Sequence, residues 1–388
     1  MDYIDNAGIC SLIKNEQINF VGTAVTPWHA HGIDCAIKYL QDCGVNVKGI
    51  IIISLAVKQG KVTHLLTEDN FVNTCCRYYK QKAFFDTRLS YIINNLRESW
   101  NSVKAYNRQQ GINSTVYIAS AWHPNINLFM YLRKTLNIGY KYKLIVVEEG
   151  LSTYFPKVKS KRHIWNVTKS NKKGGALLIS FAYHLLTVLL RNRFENRTHF
   201  INLNLLVENN GRLQPNIMAC RYYRRVLSEY SDKYLQQVSV PDLNDSILIG
   251  TMAYSHSEIQ GNSDVITLQK VVNKLVDAGY RVYMKPHPRD VGYRQRYATL
   301  QCEFLDVPCS METLMVKYPQ LKAVISFSST SLVTAQLLFN IKAISILNII
   351  DEDMYGKYIQ DEMDSFKNCF STVVGIPYDL SEMLQILK

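Results

Sequence analysis

Three short stretches carry residues able to do chemistry together. The first is Glu148-Glu149-Gly150, which closes the apolar run LIVVEEG. Two adjacent carboxylates at the end of a Leu/Ile/Val strand are poor core design unless something uses them. Beside an anionic ligand they repel each other, which raises the pKa of one and suits it to general-base work. The second is His287 in RVYMKPHPRD, held between Pro286 and Pro288 with Lys285 and Arg289 outside them. Each proline fixes its own φ and pushes the residue before it toward extended backbone. The imidazole therefore sits on a stiff segment among cations, the pattern of a phosphate grip and also of a tight loop. The third is SFSSTS, Ser326 to Ser331, where hydroxyls follow one strand and open a helix. A helix N-terminus offers unsatisfied N–H groups and a positive dipole end, and Ser or Thr there adds donors for a phosphate. A second His-Pro pair, His123-Pro124, follows Ala and Trp and reads as a loop histidine or a substrate contact.

The elements that must hold these groups alternate between strand and helix. INFVGTA (18–24) is a strand, followed by Thr26 as N-cap and Pro27 at the first helical position. KGIIIISLA (48–56) is a continuous apolar run of the kind parallel strands show when both faces are buried. A helical pattern from about 86 to 107 precedes STVYIAS (114–120), and another near 127–136 precedes KYKLIVVEEG (141–150). In the second half, DSILIGTMAYS (245–255) runs into a small-residue loop at Gly250-Thr251. DVITLQKVVNKLVDAGY (264–280) is an amphipathic helix closed by Gly279, and RVYMKPH is the next strand. CEFLDVP, LKAVISFSST and IKAISILN give three more short strands. This β-α-β rhythm predicts two doubly wound α/β domains, with the boundary in the turn-rich stretch 205–245. We place the domains at 1–237 and 238–388.

Length and composition fit that division. At 388 residues the chain exceeds one ordinary core, and it is 47% hydrophobic and 20% charged. A net charge of +12 calls for an anionic partner. Nine scattered cysteines, with no Cys-x-x-Cys pair, argue against a disulfide framework or a zinc site and for a reducing, cytoplasmic setting. No secretory signal opens the chain. Between Lys157 and Arg197 ten Lys/Arg stand against one acid, Glu195, around the apolar run from Gly175 to Leu190. That run has 16 residues, fewer than the roughly 20 needed to span a bilayer. It reads either as a buried helix between solvated basic loops or as an interfacial helix drawn to an anionic membrane surface.

Together the motifs resemble those of the bacterial sialyltransferases and polysialyltransferases, which share a D/E-D/E-G motif, an HP motif and a Ser/Thr-rich motif. Here these stand as Glu148-Glu149-Gly150, His287-Pro288 and Ser328-Ser329-Thr330. VGTAVTPWHA resembles that group's opening strand and Thr-Pro helix start. CEFLDVPCSMETL resembles its segment between the HP and Ser motifs, where a glutamate matching Glu312 lies near the nucleoside. Glu-Glu replaces the aspartate of many members, and the stretch 150–240 has no recognisable counterpart. The resemblance implies a GT-B fold, two Rossmann-like domains facing a central cleft. It also implies inverting transfer of sialic acid from CMP-sialic acid to a glycan acceptor, with no metal and no cofactor. Glu149, Glu148 and His287 are then the catalytic candidates. Gly250, Thr251, Lys285, Pro288, Arg289, Glu312, Ser328, Ser329 and Thr330 form the donor side. Gly22, Thr26 and Pro27 lie on the acceptor side.

The nearest alternative is a related enzyme using CMP-Kdo or CDP-glycerol. Many glycerol-phosphate transferases carry an aspartate before the serines, and Ser326-Phe327 occupies that place here. A basic nucleic-acid-binding protein lacks support, because the cations cluster at 157–197 without Gly-rich or aromatic-repeat RNA motifs. A membrane-surface scaffold with an inactive fold is the remaining class. DEDMYG (351–356) reads as a solvated turn rather than a metal motif.

Overall fold

The computed structural model describes residues 1–4, 6–54, 57–58, 61–62, 66–81, 112–121, 139–151, 154, 200–209, 212–235, 239–251, 263–287, 290, 292–307, 309–349 and 357–388. The expected helices at 86–107 and 127–136, His123-Pro124, DEDMYG and the whole segment 157–197 lie outside the described residues.

The chain separates into two compact units. The first holds the described residues up to Leu151, then 200–205 and 216–226. The second holds Tyr154, 206–215 and everything described from Leu227 onward.

In the first unit, helix α1 (Asn6–Glu16) precedes strand β1 (Phe20–Ala24), helix α2 (Pro27–Asp42) and strand β2 (Gly49–Ser54). Strands β3 (Cys76–Gln81), β4 (Ile112–Ala121), β5 (Gly139–Val147) and β6 (Phe200–Leu203) follow, and α3 (Ile217–Leu235) carries the chain from this unit into the other. The sheet order is β3-β2-β1-β4-β5-β6, and every pairing is parallel. That is the doubly wound dinucleotide-fold order, in which the chain reverses direction across the sheet between β1 and β4. Buried Phe20, Val21, Ile50, Ile51 and Ile52 put β1 and β2 at the centre of the core. Helix α2 starts where the sequence places it: Thr26, immediately before Pro27, is extended, and its hydroxyl accepts from the His29 N–H at 3.3 Å.

The second unit repeats the plan with β7 (Ile247–Gly250), α4 (Ser263–Asp277), β8 (Val282–Lys285), β9 (Glu303–Phe304), α5 (Met311–Lys317), β10 (Ala323–Ser326), α6 (Thr330–Phe339) and β11 (Lys342–Ser345). Its order, β9-β8-β7-β10-β11, is again wholly parallel and reverses between β7 and β10. Gly279 follows α4 at φ +84°, a left-handed value that favours glycine, and the 279 and 280 N–H groups close the helix onto Val276 and Leu275. Both units are therefore Rossmann-like, the two halves of a GT-B chain.

Two stretches differ from expectation. The region read as turn-rich linker contains an antiparallel pair of strands, Leu206–Asn209 with Arg212–Pro215. It also contains α3, whose buried Tyr222, Tyr223, Val226, Leu227 and Tyr230 recur at helical spacing.

Candidate active site

The buried end of β5 delivers Glu148 and Glu149 into different surroundings. Glu148 is only 1% exposed, and its carboxylate accepts two backbone N–H groups. Oε1 accepts the Gly150 N–H at 2.9 Å and Oε2 accepts the Leu205 N–H at 2.9 Å. The first bond folds the motif back on itself, with Gly150 at φ +109°, where an L side chain would be strained. This explains the glycine of the motif. The second bond ties the turn to the residues just after β6. Glu148 is thus a structural anchor, and Glu149, half-buried on the same turn, is the carboxylate the anchor presents.

A partner that the sequence did not reveal completes this anchor. The backbone N–H of Glu148 donates to the hydroxyl of Tyr223 on α3, 3.0 Å away and 75 residues on. Tyr223 stacks on Trp28, with ring centroids 5.1 Å apart and planes at 23°. Gly32 of α2 makes room, since a Cβ there would lie 2.7 Å from the Tyr223 hydroxyl and 2.7 Å from Val147 Cβ. The aromatic stripe of α3 was the available signal, but nothing local links it to a motif so far away in sequence.

The residues expected on the acceptor side serve the β1–α2 junction. A Cβ at Gly22 would meet Ile33 at 2.8 Å, so the glycine lets α2 pack closely on β1. Thr26 caps α2, and Pro27 is exposed at its first turn.

In the second unit, three neighbouring strands end in the predicted donor residues. Gly250 follows the apolar part of β7 and pairs with Lys285 at the end of β8. Its carbonyl accepts from Ser326 Oγ at 3.0 Å. Thr251 Oγ1 accepts the His287 N–H at 2.8 Å, and the His287 carbonyl accepts the Asp290 N–H at 2.8 Å, which closes a turn on the histidine. Pro286 is buried and His287 half-buried, while Pro288 and Arg289 lie outside the described residues. At β10, Ser326 is buried, and Ser329 caps α6 by accepting the Ser331 N–H at 3.3 Å. Ser328 and Thr330 flank it, half-buried. All of this sits at the carboxyl edge where the strand order reverses, the place open α/β sheets bind ligands.

Behind that edge lie two buried ionisable groups. Glu312, in the first turn of α5, has its pKa raised by burial, and its own N–H, the Ser310 and Thr334 hydroxyls and Lys285 offset part of the rise. The Thr334 hydroxyl stands 3.0 Å from Glu312 Oε1. Lys285 has its pKa lowered by burial, with the Cys309 thiol and Glu312 pulling the other way. Burial thus outweighs the pairing for both partners. Among the described residues, no group of three or more His, Cys, Asp or Glu is placed to hold a metal ion. The described cysteines are free thiols.

A family model described as Alpha-2,8-polysialyltransferase matches residues 24–348, which include the Glu-Glu-Gly, His-Pro and Ser/Thr motifs. The chain belongs to the alpha-2,8-polysialyltransferase family. It is accordingly a glycosyltransferase of sialic acid transfer, with a nucleotide-sugar donor and a glycan acceptor. No curated protein matches the chain by sequence. Solved structures similar to this polysialyltransferase-family chain include an alpha/beta-galactoside alpha-2,3-sialyltransferase from Photobacterium phosphoreum, at 12% identity and TM-score 0.43, covering 94% of this chain and 98% of that one. The UDP-GlcNAc 2-epimerase of Methanocaldococcus jannaschii matches at 10% identity and TM-score 0.45 over 95% of this chain and 98% of its own. An E. coli heptosyltransferase with ADP matches at 10% identity and TM-score 0.39 over 95% and 98%. Among the described residues, no helix is long and apolar enough to cross a membrane.

Proposed function

We propose that the chain transfers sialic acid from CMP-sialic acid by a single inverting displacement, without a divalent cation. Glu149 takes the proton of the acceptor hydroxyl as its oxygen attacks the anomeric carbon. The bond from that carbon to the phosphate oxygen breaks through an oxocarbenium-like state, and CMP departs. His287 protonates or stabilises the leaving phosphate, while the hydroxyls of Ser328, Ser329 and Thr330 and the N-terminal N–H groups of α6 hold it. Lys285 and Arg289 supply positive charge, and such fixed donors do for the phosphate what a metal would otherwise do. Glu312 and Thr251 shape the nucleoside end. Glu148 contributes by fixing the turn rather than by proton transfer.

The observation that carries this reading is the gathering of Gly250, Thr251, His287 and Ser326 to Thr330 at the carboxyl ends of three adjacent parallel strands. Gly250 adds to it. Neither a positive φ nor a packing clash requires glycine there, since a Cβ would meet nothing closer than Ser326 Oγ at 3.5 Å. A bare backbone at a strand end suits close approach of a ligand. The family's description makes a sialic-acid-terminated glycan the acceptor to try first. We further propose that the basic segment 157–197 brings the enzyme to the inner face of an anionic membrane, where a lipid-linked acceptor would be presented.

Donor choice tests the reading. Among CMP-sialic acid, CMP-Kdo and CDP-glycerol, only the first should release nucleotide in an acceptor-dependent way, and it should do so in excess EDTA. Turnover of CDP-glycerol alone would overturn the donor assignment. Loss of activity with EDTA, restored by magnesium or manganese, would sink the metal-free mechanism.

A further inference from the structure

We infer that Tyr223 is a positioning residue for catalysis, acting through the peptide of Glu148 to set the direction in which Glu149 projects. The inference rests on the reading of Glu149 as the base. Among the described residues three hydrogen bonds hold Glu148, and they come from three parts of the chain. Its carboxylate takes the N–H groups of Gly150 and Leu205, and its own N–H is taken by the Tyr223 hydroxyl at 3.0 Å. The first two fix the side chain. The third acts on the Val147–Glu148 peptide, where β5 runs into the motif, and together with the Gly150 N–H, which holds the peptide after Glu149, it brackets the backbone from which Glu149 projects.

Packing accounts for the ring of Tyr223 but not for its oxygen. The ring is fully buried and stacked on Trp28, a place phenylalanine would fill as well. A buried hydroxyl is unfavourable unless it is hydrogen-bonded, and its recorded partner is the Glu148 N–H. Gly32 leaves room for that oxygen as well as for Val147, since a Cβ there would come within 2.7 Å of both. Burial also holds the phenol well above its ordinary pKa, so it meets the N–H as a neutral hydroxyl. Helix α3 thus supplies a buried hydroxyl that touches the motif from behind, and α2 leaves it room.

The test is a double-mutant cycle on the full chain with Tyr223→Phe and Glu149→Gln, read as kcat, donor KM and thermal midpoint. Tyr223→Phe should lower kcat about tenfold or more, the scale of a small misplacement of a catalytic group. It should leave donor KM unchanged and the melting temperature within a few degrees. In the Glu149→Gln background it should cost nothing further, because the group it orients is gone. Normal turnover in folded Tyr223→Phe overturns the inference while a dead Glu149→Gln leaves the proposed base standing. A loss that adds in full to that of Glu149→Gln also overturns it, since Tyr223 would then act by another route. Full activity in Glu149→Gln removes the base, and this inference with it.

Discussion

The backbone N–H of His287 donates to Thr251 Oγ1 at 2.8 Å, joining the turn after β8 to the end of its neighbour β7. This bond and the one from the Asp290 N–H to the His287 carbonyl hold the main chain from which the imidazole projects. Thr251→Val keeps the shape and removes the acceptor. It should destabilise by about 1 kcal/mol, the usual net worth of such a bond, and lower kcat roughly tenfold through misplacement of His287. Thr251→Ser should recover most of both. Steady-state kinetics and a thermal melt decide, and equal activity in the valine variant would show that the turn holds His287 unaided.

The two carboxylates of the motif should separate in opposite assays. Glu149→Gln should leave the melt unchanged and cut turnover by on the order of a hundredfold or more, the scale of a lost general base. Glu148→Gln replaces a carboxylate that accepts two backbone N–H groups with an amide that can accept only at its oxygen. One buried N–H loses its partner, so stability should fall by about 1–3 kcal/mol. A Glu148→Gln variant with wild-type stability and no activity would mean the roles are reversed.

How much of this was legible in the sequence follows from the range of the interactions. Thr26-Pro27, Gly279 and the strand-end motifs act within a few residues, and each lies where the spacing placed it. The edge strand β3, CRYYKQ, was missed because an edge strand needs no apolar run. Helix α3 was hidden by the turn formers around it, although its buried tyrosines have helical spacing. The split between Glu148 and Glu149 was out of reach, since it depends on Leu205 and Tyr223, 57 and 75 residues further along. Local chemistry pointed to the motifs, and only long-range packing distinguishes the surroundings of Glu148 from those of Glu149.

Acid should expose a buried histidine in α2. His31 is 1% exposed, and burial lowers its pKa from 6.5 to about 4. Below pH 6.5 the unfolded chain takes up a proton that the folded chain refuses, so this term lowers stability as pH falls toward 4. Its full size is on the order of 3 kcal/mol. Asp34, one turn on, works in the opposite sense, because burial raises its pKa from 3.8 to about 6 and the fold binds that proton first. The two terms largely cancel in the wild type. His31→Gln should uncover the Asp34 term, making the variant gain about 2–3 kcal/mol relative to wild type between pH 7 and pH 4.5. Urea midpoints at the two pH values measure this, and parallel behaviour of both proteins would remove His31 as an acid-sensitive site.

The basic segment should act at a membrane surface. Between Lys157 and Arg197 ten cations and one acid surround a 16-residue apolar run, too short to span a bilayer and long enough to lie in its interface. Each basic residue near an anionic leaflet contributes about 1 kcal/mol, so half of them would suffice to hold the enzyme there. That attraction is screened by salt, whereas burial of an apolar helix face is not. Sedimentation with vesicles therefore separates the contributions. Binding to anionic vesicles that disappears in high salt assigns the work to the cations alone, and binding that persists in salt adds the apolar run. Replacing Lys172 and Lys173 with Glu should weaken the salt-sensitive part and leave turnover on a soluble acceptor intact. Equal, negligible binding to anionic and neutral vesicles would make the cations a solvated face or an acceptor-binding patch, and a fall in turnover of the Lys172/Lys173 variant on the soluble acceptor would select the patch.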